Sequence, residues 1–241
     1  MKNTLFLFLF SLFLIACGDG SSTSANNSDD GDSSSKSSSS QKTISSSSDR
    51  VTEPAEVTTG IMTDARDGQT YKTVQIGSQT WMAENLNYET ASSYCYNDSA
   101  SYCAKYGRLY TWAVAMDSAG TWTTNGKGCG NDKTCSPTYP VRGVCPSGWH
   151  LPTQTEWNTL FTAVGGQSTA STKLKSSSGW NSDGNGTDSF GFSALPAGGR
   201  DNGGYDYEGY GAYFWSSTEN DNDFACDMNG LLLRRRLCVP E

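Results

Sequence analysis

The feature that most constrains how this chain can fold is a sharp change of composition near residue 60. Over residues 18–50 serine dominates, Asp, Asn and Gly make up most of the rest, and apolar residues are nearly absent. Such a segment cannot bury enough apolar surface to offset the entropy lost on ordering, so residues 17–59 are expected to form a disordered tether. Aromatic residues, glycines and cysteines appear together from about Gly60 onward. One domain of ordinary size is therefore expected over residues 60–241.

The first sixteen residues have the pattern of a signal peptide. Lys2 supplies a positive charge, and residues 5–15 form an apolar run interrupted only by Ser11. A membrane-spanning helix needs ~20 apolar residues. The shorter run here indicates an export signal that is removed.

The end of this signal resembles the bacterial lipobox. The sequence there is Leu14-Ile15-Ala16-Cys17, which implies cleavage before Cys17 and acylation of its thiol. Gly18 stands where an inner-membrane retention signal would place Asp, so we expect sorting to the outer membrane. Two or more acyl chains would anchor the protein stably to that membrane. The alternative is an ordinary secretory signal followed by a chance cysteine.

The charge of the mature chain argues against nucleic acid as a partner. Without Lys2 it carries 16 basic and 25 acidic side chains, a net charge of −9. Proteins that bind nucleic acid usually present a basic patch. The short cluster at residues 234–236, all arginine, is expected to decorate a strand or turn near the C-terminus.

Seven cysteines follow Cys17, and in an exported protein such cysteines usually form disulfides. The short spacings predict that Cys95 pairs with Cys103 and that Cys129 pairs with Cys135. Pairing of Cys145 with Cys238 would close a long loop and contribute ~4–5 kcal/mol in the chain-entropy model. Cys226 is then left over. A zinc site is the weaker alternative, because the chain contains no C-x-x-C pair.

Local patterns predict a mixed α+β fold. A hairpin is expected over residues 70–82, with alternating strands on either side of Gly77-Ser78. Thr153 and Glu156 form a capping box that should begin a helix ending at Gly165-Gly166. The remaining predicted elements are a second helix over residues 110–116 and short strands at 192–195 and 213–217.

Several segments together carry a distinctive order of motifs. They are DGQTYKTV at 67–74, QTWMAENL at 79–86, YGRLYTW at 106–112, VCPSGWHLP at 144–152, FSALPAGGR at 192–200 and FWSSTE at 214–219. Their sequences and order resemble the Fibrobacter succinogenes major paralogous domain, from residue 60 to about 220. The order of signal, tether and domain also resembles lipoproteins that carry this domain. Because the family is known by sequence more than by activity, the resemblance implies no reaction.

The same motifs are more distantly similar to the formylglycine-generating-enzyme and C-type-lectin-like folds. The likeness lies in Leu151-Pro152-Thr153 leading into a helix with Glu156-Trp157, and in the later Phe-Trp-Ser-Ser-Thr. This implies a single α+β domain of that kind, rich in loops and stapled by disulfides. The chain departs from the family at its end, because members usually finish with a Ser- and Tyr-containing strand that runs into Val-Arg-Cys-Val, whereas residues 231–241 here are LLLRRRLCVPE. Either the last hairpin is abbreviated or this tail is divergent. That departure makes Cys226 a rival to Cys238 as the partner of Cys145.

Catalytic chemistry has weak support in the sequence. Cys226 is the one thiol expected to be unpaired, and His150 is the only histidine, but nothing places them together. A structural role for His150, hydrogen-bonded to a loop, is favoured. Paired carboxylates could hydrolyse glycosides, but no spacing signature unites the candidates, which are Glu156, Asp206, Glu208 and Glu219. Glu156 is already explained by the capping box.

One segment, residues 181–186, has part of the pattern of a calcium-binding loop. Asn181, Asp183 and Asn185, followed by Gly186, place oxygen ligands at alternate positions as in the first half of an EF-hand loop. The twelfth position is Phe192 and not Glu, so the bidentate ligand is missing. An ordinary Asx- and Gly-rich turn is the favoured alternative.

The strongest binding signal is a group of aromatic residues near the C-terminal end. Tyr205, Tyr207, Tyr210 and Tyr213 stand among glycines and acidic residues, just before Phe214-Trp215. Exposed aromatic rings beside short polar side chains suit stacking on sugars or contact with a protein partner. The alternative is that Phe214 or Trp215 belongs to the core and that the tyrosines only cover the surface.

These observations predict an outer-membrane lipoprotein, monomeric, whose domain binds a polysaccharide or a cell-surface protein without catalysis. No cofactor is expected apart from the calcium considered above. An enzyme acting on cell-surface or plant-wall polymers and a purely structural envelope protein are the alternatives.

Overall fold

A computed structural model describes residues 57–130, 133–201, 203–219, 225–227 and 239–240. The predicted signal peptide, Cys17 and the predicted tether up to residue 56 lie outside these residues, as do the arginines at 234–236 and Cys238. The last two residues predicted for the tether, Thr58 and Thr59, begin the first strand. No helix within the described ranges is both long and apolar enough to cross a membrane. The strands are β1 Thr58–Thr63, β2 Thr70–Ile76, β3 Gln79–Met82, β4 Ser93–Tyr94, β5 Leu109–Tyr110, β6 Trp149–His150, β7 Ala197–Asp201, β8 Gly204–Glu208, β9 Trp215–Glu219, β10 Ala225–Asp227 and β11 Val239–Pro240. The helices are α1 Ala100–Tyr106, α2 Trp112–Ala115, α3 Gln154–Ala163 and α4 Gln167–Leu174.

The three-stranded sheet contains the predicted hairpin as β2 and β3. β1, β2 and β3 form an antiparallel three-stranded sheet in that order. Strand β2 buries Tyr71 and Thr73 on one face and Val74 and Ile76 on the other, so both of its faces pack against other parts of the domain. The other described strands pair in twos, namely β4 with β5, β6 with β11, β7 with β8, and β9 with β10. The mixed α+β class predicted from the sequence is confirmed.

Helix α3 begins as the sequence predicts. The Thr153 hydroxyl accepts the backbone N–H of Glu156, and the Glu156 carboxylate accepts the backbone N–H of Thr153 at 2.7 Å. This reciprocal pair satisfies two donors that a helix start would otherwise leave free. The helix then buries Trp157, Leu160 and Phe161 on one side.

An aromatic core joins the hairpin, α3 and the C-terminal half of the domain. It consists of Trp81, Trp157, Phe192 and Phe214, all less than a tenth exposed. The rings of Trp81 and Trp157 lie 4.8 Å apart between centroids, and Trp157 and Phe214 lie 5.5 Å apart. Trp81, Phe192 and Phe214 come from three different motifs that carry the family resemblance, and Trp157 comes from the helix that follows a fourth motif. These motifs therefore meet at the centre of the domain.

Two indole hydrogen bonds tie the FWSSTE motif to the YGRLYTW motif. The Trp112 Nε1–H donates to the Ser216 carbonyl at 2.9 Å, and the Trp215 Nε1–H donates to the Tyr110 carbonyl at 2.9 Å. Of the two residues that the sequence suggests for the core, Phe214 is buried, whereas Trp215 is only half-buried.

One predicted strand does not form, and two predicted elements have other bounds. Residues 192–195 contain an isolated bridge at Ala194 and no strand. The second helix is shorter than expected, because Tyr110 belongs to β5 and Thr111 caps α2. Strand β9 begins at Trp215, two residues later than predicted.

The disulfide predictions from short spacing are confirmed. Cys95 is bonded to Cys103, and Cys129 is bonded to Cys135. Cys145 is also disulfide-bonded. The pairing predicted for Cys238 lies outside the described residues, as does the side chain of Cys226.

Candidate ligand-binding surface

One wall of the candidate site is the β7–β8 hairpin. Gly199 faces Asp206 in the register, and Arg200 faces Tyr205. Gly198 has a φ of +63°, and a Cβ at this position would come within 2.8 Å of the Tyr96 ring. Only glycine allows this backbone conformation and this close approach without strain. The ring of Tyr96 can therefore lie directly against the hairpin.

The opposite wall is held by the Cys95–Cys103 disulfide. It joins a 3₁₀ turn at Tyr96–Asp98 to helix α1, and its two cysteines are direct neighbours of Tyr96 and Tyr102. The centroid of the Tyr96 ring lies 5.1 Å from that of Tyr102 and 5.2 Å from that of Tyr205. The disulfide thus joins the two segments that carry Tyr96 and Tyr102, and Tyr96 contacts Tyr205 of the other wall.

Between these walls lies a shallow, open cavity of about 750 Å³. We call it the tyrosine surface; its lining residues are Tyr96, Asn97, Tyr102, Tyr205, Asp206, Tyr207, Glu208 and Tyr210. Tyr207 is 60% exposed and Tyr210 is 54% exposed, which is unusual for such large rings. A cluster of solvent-facing aromatic rings around a concavity is a typical feature of binding sites.

The backbone of Tyr207 is strained. Its φ is +64°, in the left-handed region that bulky side chains rarely adopt. The conformation is held by two hydrogen bonds, in which the backbone N–H groups of Tyr210 and Gly211 both donate to the Tyr207 carbonyl at 2.9 Å. Strain of this kind concentrates at functional sites, where it fixes the direction of a side chain.

Hydroxyl groups anchor the rings that are less exposed. The Tyr205 hydroxyl donates to the Asp98 carboxylate, and the Tyr106 hydroxyl, beneath the surface, donates to Glu208 Oε1 at 2.6 Å. Burial raises the pKa of both phenols, and the neighbouring carboxylates raise it further. Both tyrosines therefore stay protonated and keep donating at neutral pH.

Three of the four predicted tyrosines line the tyrosine surface. Tyr213 does not; it is half-buried and its ring supports Tyr207, with 6.3 Å between the centroids. Tyr96, Asn97 and Tyr102 also line the surface but were missed from the sequence. The signal that could have found them is their position, because Tyr96 and Tyr102 directly adjoin the predicted disulfide.

The single histidine has a structural partner. His150 is 6% exposed, and its Nε2 lies 2.8 Å from Glu156 Oε1. Because an ionised carboxylate can only accept, the ring nitrogen is the donor. Burial raises the pKa of Glu156, but hydrogen bonds from His150 and Thr153 outweigh it, so the pKa lies below its ordinary value of 4.5. Glu156 is thus an ionised helix cap that holds His150.

Two buried carboxylates away from the tyrosine surface also have structural partners. Asp64 is 1% exposed and pairs with Arg66 at 2.6 Å, while the Arg66 guanidinium lies over the Tyr88 ring. Asp117 accepts three backbone N–H groups, from residues 121, 122 and 123, at 2.6–2.9 Å. The ion pair and these hydrogen bonds give both carboxylates a structural role.

The carboxylates considered for glycoside hydrolysis are spread over the domain. Asp206 and Glu208 meet at the tyrosine surface, two residues apart on β8. Glu208 is engaged there by the Tyr106 hydroxyl and by Lys105 at 3.4 Å. Glu219 lies on β9 and Glu156 at the start of α3, and neither lines the surface.

The residues considered for calcium lie in a turn that follows Trp180. Asn185 Oδ1 accepts the backbone N–H of Trp180 at 3.0 Å, and the Asn181 backbone N–H donates to the Gly209 carbonyl. Asp183 is exposed, with a φ of +56°. Within the described residues, no group of three or more His, Cys, Asp or Glu side chains is placed to hold a metal ion. Calcium binding at this turn stays a prediction.

Comparison with known proteins identifies the family alone. No curated protein and no solved structure matches the chain. The family model of the Fibrobacter succinogenes major domain matches residues 74–235, well over half of the chain, and this range contains both walls of the tyrosine surface. The chain therefore belongs to the Fibrobacter succinogenes major domain family.

Proposed function

We propose that this protein is a non-catalytic binding protein whose ligand, a polysaccharide or a cell-surface protein, occupies the tyrosine surface. The observation that carries the proposal is the cluster of exposed rings around a cavity of about 750 Å³. Aromatic rings contribute large contact area at a small entropic cost, since only two side-chain angles must be fixed. A neighbouring disulfide and a strained backbone hold the rings in place before any ligand arrives, which reduces the cost of binding further.

The test is retention of the purified full-length chain on insoluble cellulose, xylan and bacterial surface material. Replacing Tyr207 and Tyr210 by Ala should weaken retention at least about fivefold, as for truncation of a central interface residue. Tyr139→Ala is the matched control, because Tyr139 is 49% exposed but does not line the tyrosine surface. Equal retention of all variants would place the ligand elsewhere, and no retention on any material would favour a purely structural envelope role.

Anchoring to the outer membrane through acylated Cys17 completes the proposal. It is supported by the lipobox-like sequence at residues 14–17 and by the length of the serine-rich tether, whose reach as a flexible coil is about 35 Å. Such a tether would hold a monomeric domain away from the lipid. Cys17→Ser should abolish the incorporation of labelled fatty acid into the protein; incorporation in that variant equal to the wild type would contradict acylation at Cys17.

The proposal includes the relationship to the formylglycine-generating-enzyme and C-type-lectin-like folds. It is supported by the capped start of α3 and by the packing of Trp157 against Phe214, since these segments carry the sequence likeness. An experimental structure without the core strand order of those folds would contradict the relationship and leave the binding proposal intact.

A further inference from the structure

The charges around the tyrosine surface restrict what it can bind. Among the described residues that line it, Asp206 and Glu208 are the only charged side chains, and both are acidic. A third carboxylate, Asp98, adjoins the surface through its bond to Tyr205. A ligand with carboxylate or sulfate groups would therefore meet like charges at close range.

Two described cations lie near the tyrosine surface but do not line it. The Arg200 guanidinium lies over the Tyr94 ring, 4.0 Å from its centroid, and 5.5 Å from that of Tyr205. The Lys105 ammonium pairs with Glu208 at 3.4 Å and also lies over the Tyr106 ring, 4.4 Å from its centroid. A ligand held within the cavity therefore meets the carboxylates of the lining before it reaches either cation.

Part of this negative charge is compensated. Lys105 balances Glu208, whereas Asp98 and Asp206 are exposed and form no ion pair among the described residues. A strongly basic protein would gain few ion pairs, all of them in exposed surroundings, and such pairs contribute little. What remains is aromatic area with a few hydrogen-bond acceptors, namely Asn97 and Asp206.

We infer that the ligand is an uncharged polysaccharide, bound along an internal stretch of its chain; this rests on the proposed function of the same surface. The tyrosine rings stack on the apolar faces of the sugar units, and Asn97 and Asp206 accept hydrogen bonds from sugar hydroxyls. Because the cavity is shallow and open, a polymer can continue beyond it. A protein partner is the competing occupant.

The test compares polymers that share a backbone and differ in charge. The full-length chain is titrated with soluble neutral glucan, xylan and mannan, and with the carboxymethylated form of each. We expect at least one neutral polymer to bind and its carboxymethylated form to bind about two- to fivefold more weakly at low salt, the size of effect that exposed charges produce. The difference should shrink as added salt screens exposed charges.

Variants then test whether the tyrosine surface causes the difference in affinity between neutral and charged polymers. Asp206→Asn keeps the shape and the acceptor oxygen, and should narrow the difference between neutral and charged polymers about twofold or more. Glu84→Gln is the matched control, because it removes the same charge from a residue that does not line the surface. Tyr207→Ala and Tyr210→Ala should weaken binding of the neutral polymer.

Equal affinity for neutral and charged polymers, or an unchanged difference in Asp206→Asn, would overturn the inference and leave the proposed function standing. Binding to no polymer, combined with tyrosine-dependent binding to bacterial surface protein, would overturn it in favour of the protein partner. Loss of both kinds of binding would overturn the proposed function itself.

Discussion

In the described part of the chain, the aromatic core and the tyrosine surface are built on opposite principles. In the core, Trp81, Trp157, Phe192 and Phe214 are buried and hold each other by ring contacts. At the tyrosine surface the rings remain partly or largely exposed, and a disulfide, hydroxyl hydrogen bonds and a strained backbone hold them. Burial of apolar surface is sufficient to stabilise the core cluster. The tyrosine surface gains little from burial in the free protein. Exposed rings held in fixed positions are expected where a ligand covers them and completes their contacts.

The hydroxyl groups separate the two clusters chemically. The surface rings are tyrosines, and Tyr205 and the supporting Tyr106 each donate to a carboxylate. In the core cluster the phenylalanines have no polar group, and the Nε1–H groups of Trp81 and Trp157 have no hydrogen-bond partner among the described residues. If the comparison is right, changes in one cluster should affect stability, and changes in the other should affect binding.

The largest expected effect comes from the core. Trp157→Ala removes a ring that is 1% exposed and contacts Trp81, Phe161, Phe192 and Phe214. We expect the free energy of unfolding to fall by about 3–5 kcal/mol, as is usual for a large aromatic residue truncated in a core. Chemical denaturation of the full-length chain measures it. A loss no greater than that of Tyr210→Ala would break the distinction between the two clusters.

The disulfides provide the second test. Replacing both Cys95 and Cys103 by Ser should lower the free energy of unfolding by about 2–3 kcal/mol, given the short loop closed. It should also weaken ligand binding, because this bond fixes the turn and the helix that carry Tyr96 and Tyr102.

The second disulfide is a matched control, because Cys129 and Cys135 close a loop of similar length and do not line the tyrosine surface. Replacing that pair by Ser should reduce stability comparably and leave binding unchanged. Parallel loss of binding in both double variants would show that overall stability, and not positioning of the tyrosines, controls binding.

Glu156 gives the third test through its pH dependence. Because its pKa in the folded state lies below 4.5, the ionised carboxylate stabilises the fold above that pH. This contribution is lost as the pH falls through 4.5 and then through the lower pKa of the folded state. Glu156→Gln, which weakens the capping box and the bond to His150, should cost about 1–2 kcal/mol at neutral pH.

The variant should therefore lose less stability than the wild type between pH 6 and about pH 3, since it has one fewer depressed carboxyl group. Thermal or denaturant unfolding across this range measures the difference. Parallel curves for the two proteins would show that Glu156 is not linked to folding. Asp64, whose pKa is also lowered, is present in both proteins and does not affect the comparison.

Local physics accounts for what could be predicted from the sequence. The hairpin over residues 70–82 and the start of α3 rest on alternation and on a capping box, both contained within a few residues. The Cys95–Cys103 and Cys129–Cys135 bonds follow from short spacing in the same way. Helix α4 was missed because little of it is apolar; only Ala170 and Leu174 are buried, so its periodicity is weak.

The candidate site was only half predictable, because it joins segments a hundred residues apart. Tyr205, Tyr207 and Tyr210 could be found as a group in the sequence. Their contact with Tyr96 depends on the close approach at Gly198, which no local pattern specifies. The strand that carries Tyr205 had a signal that was overlooked, since Asn202-Gly203 followed by alternating residues is typical of a hairpin.

The smallest expected effect is also the one that separates the two clusters most directly. Tyr207→Asn places at a φ of +64° a residue that tolerates the left-handed conformation. Because the tyrosine ring is 60% exposed, little packing is lost, and the free energy of unfolding should rise by about 1 kcal/mol. Binding should weaken in the same variant. Tyr210→Asn is the control, since Tyr210 has no positive φ to relieve, and it should weaken binding without raising stability. Replacement of a core residue is not expected to raise stability while it weakens binding, because the loss of buried packing lowers stability. A Tyr207→Asn variant that lost both stability and binding would mean that the tyrosine surface is held together as the core is.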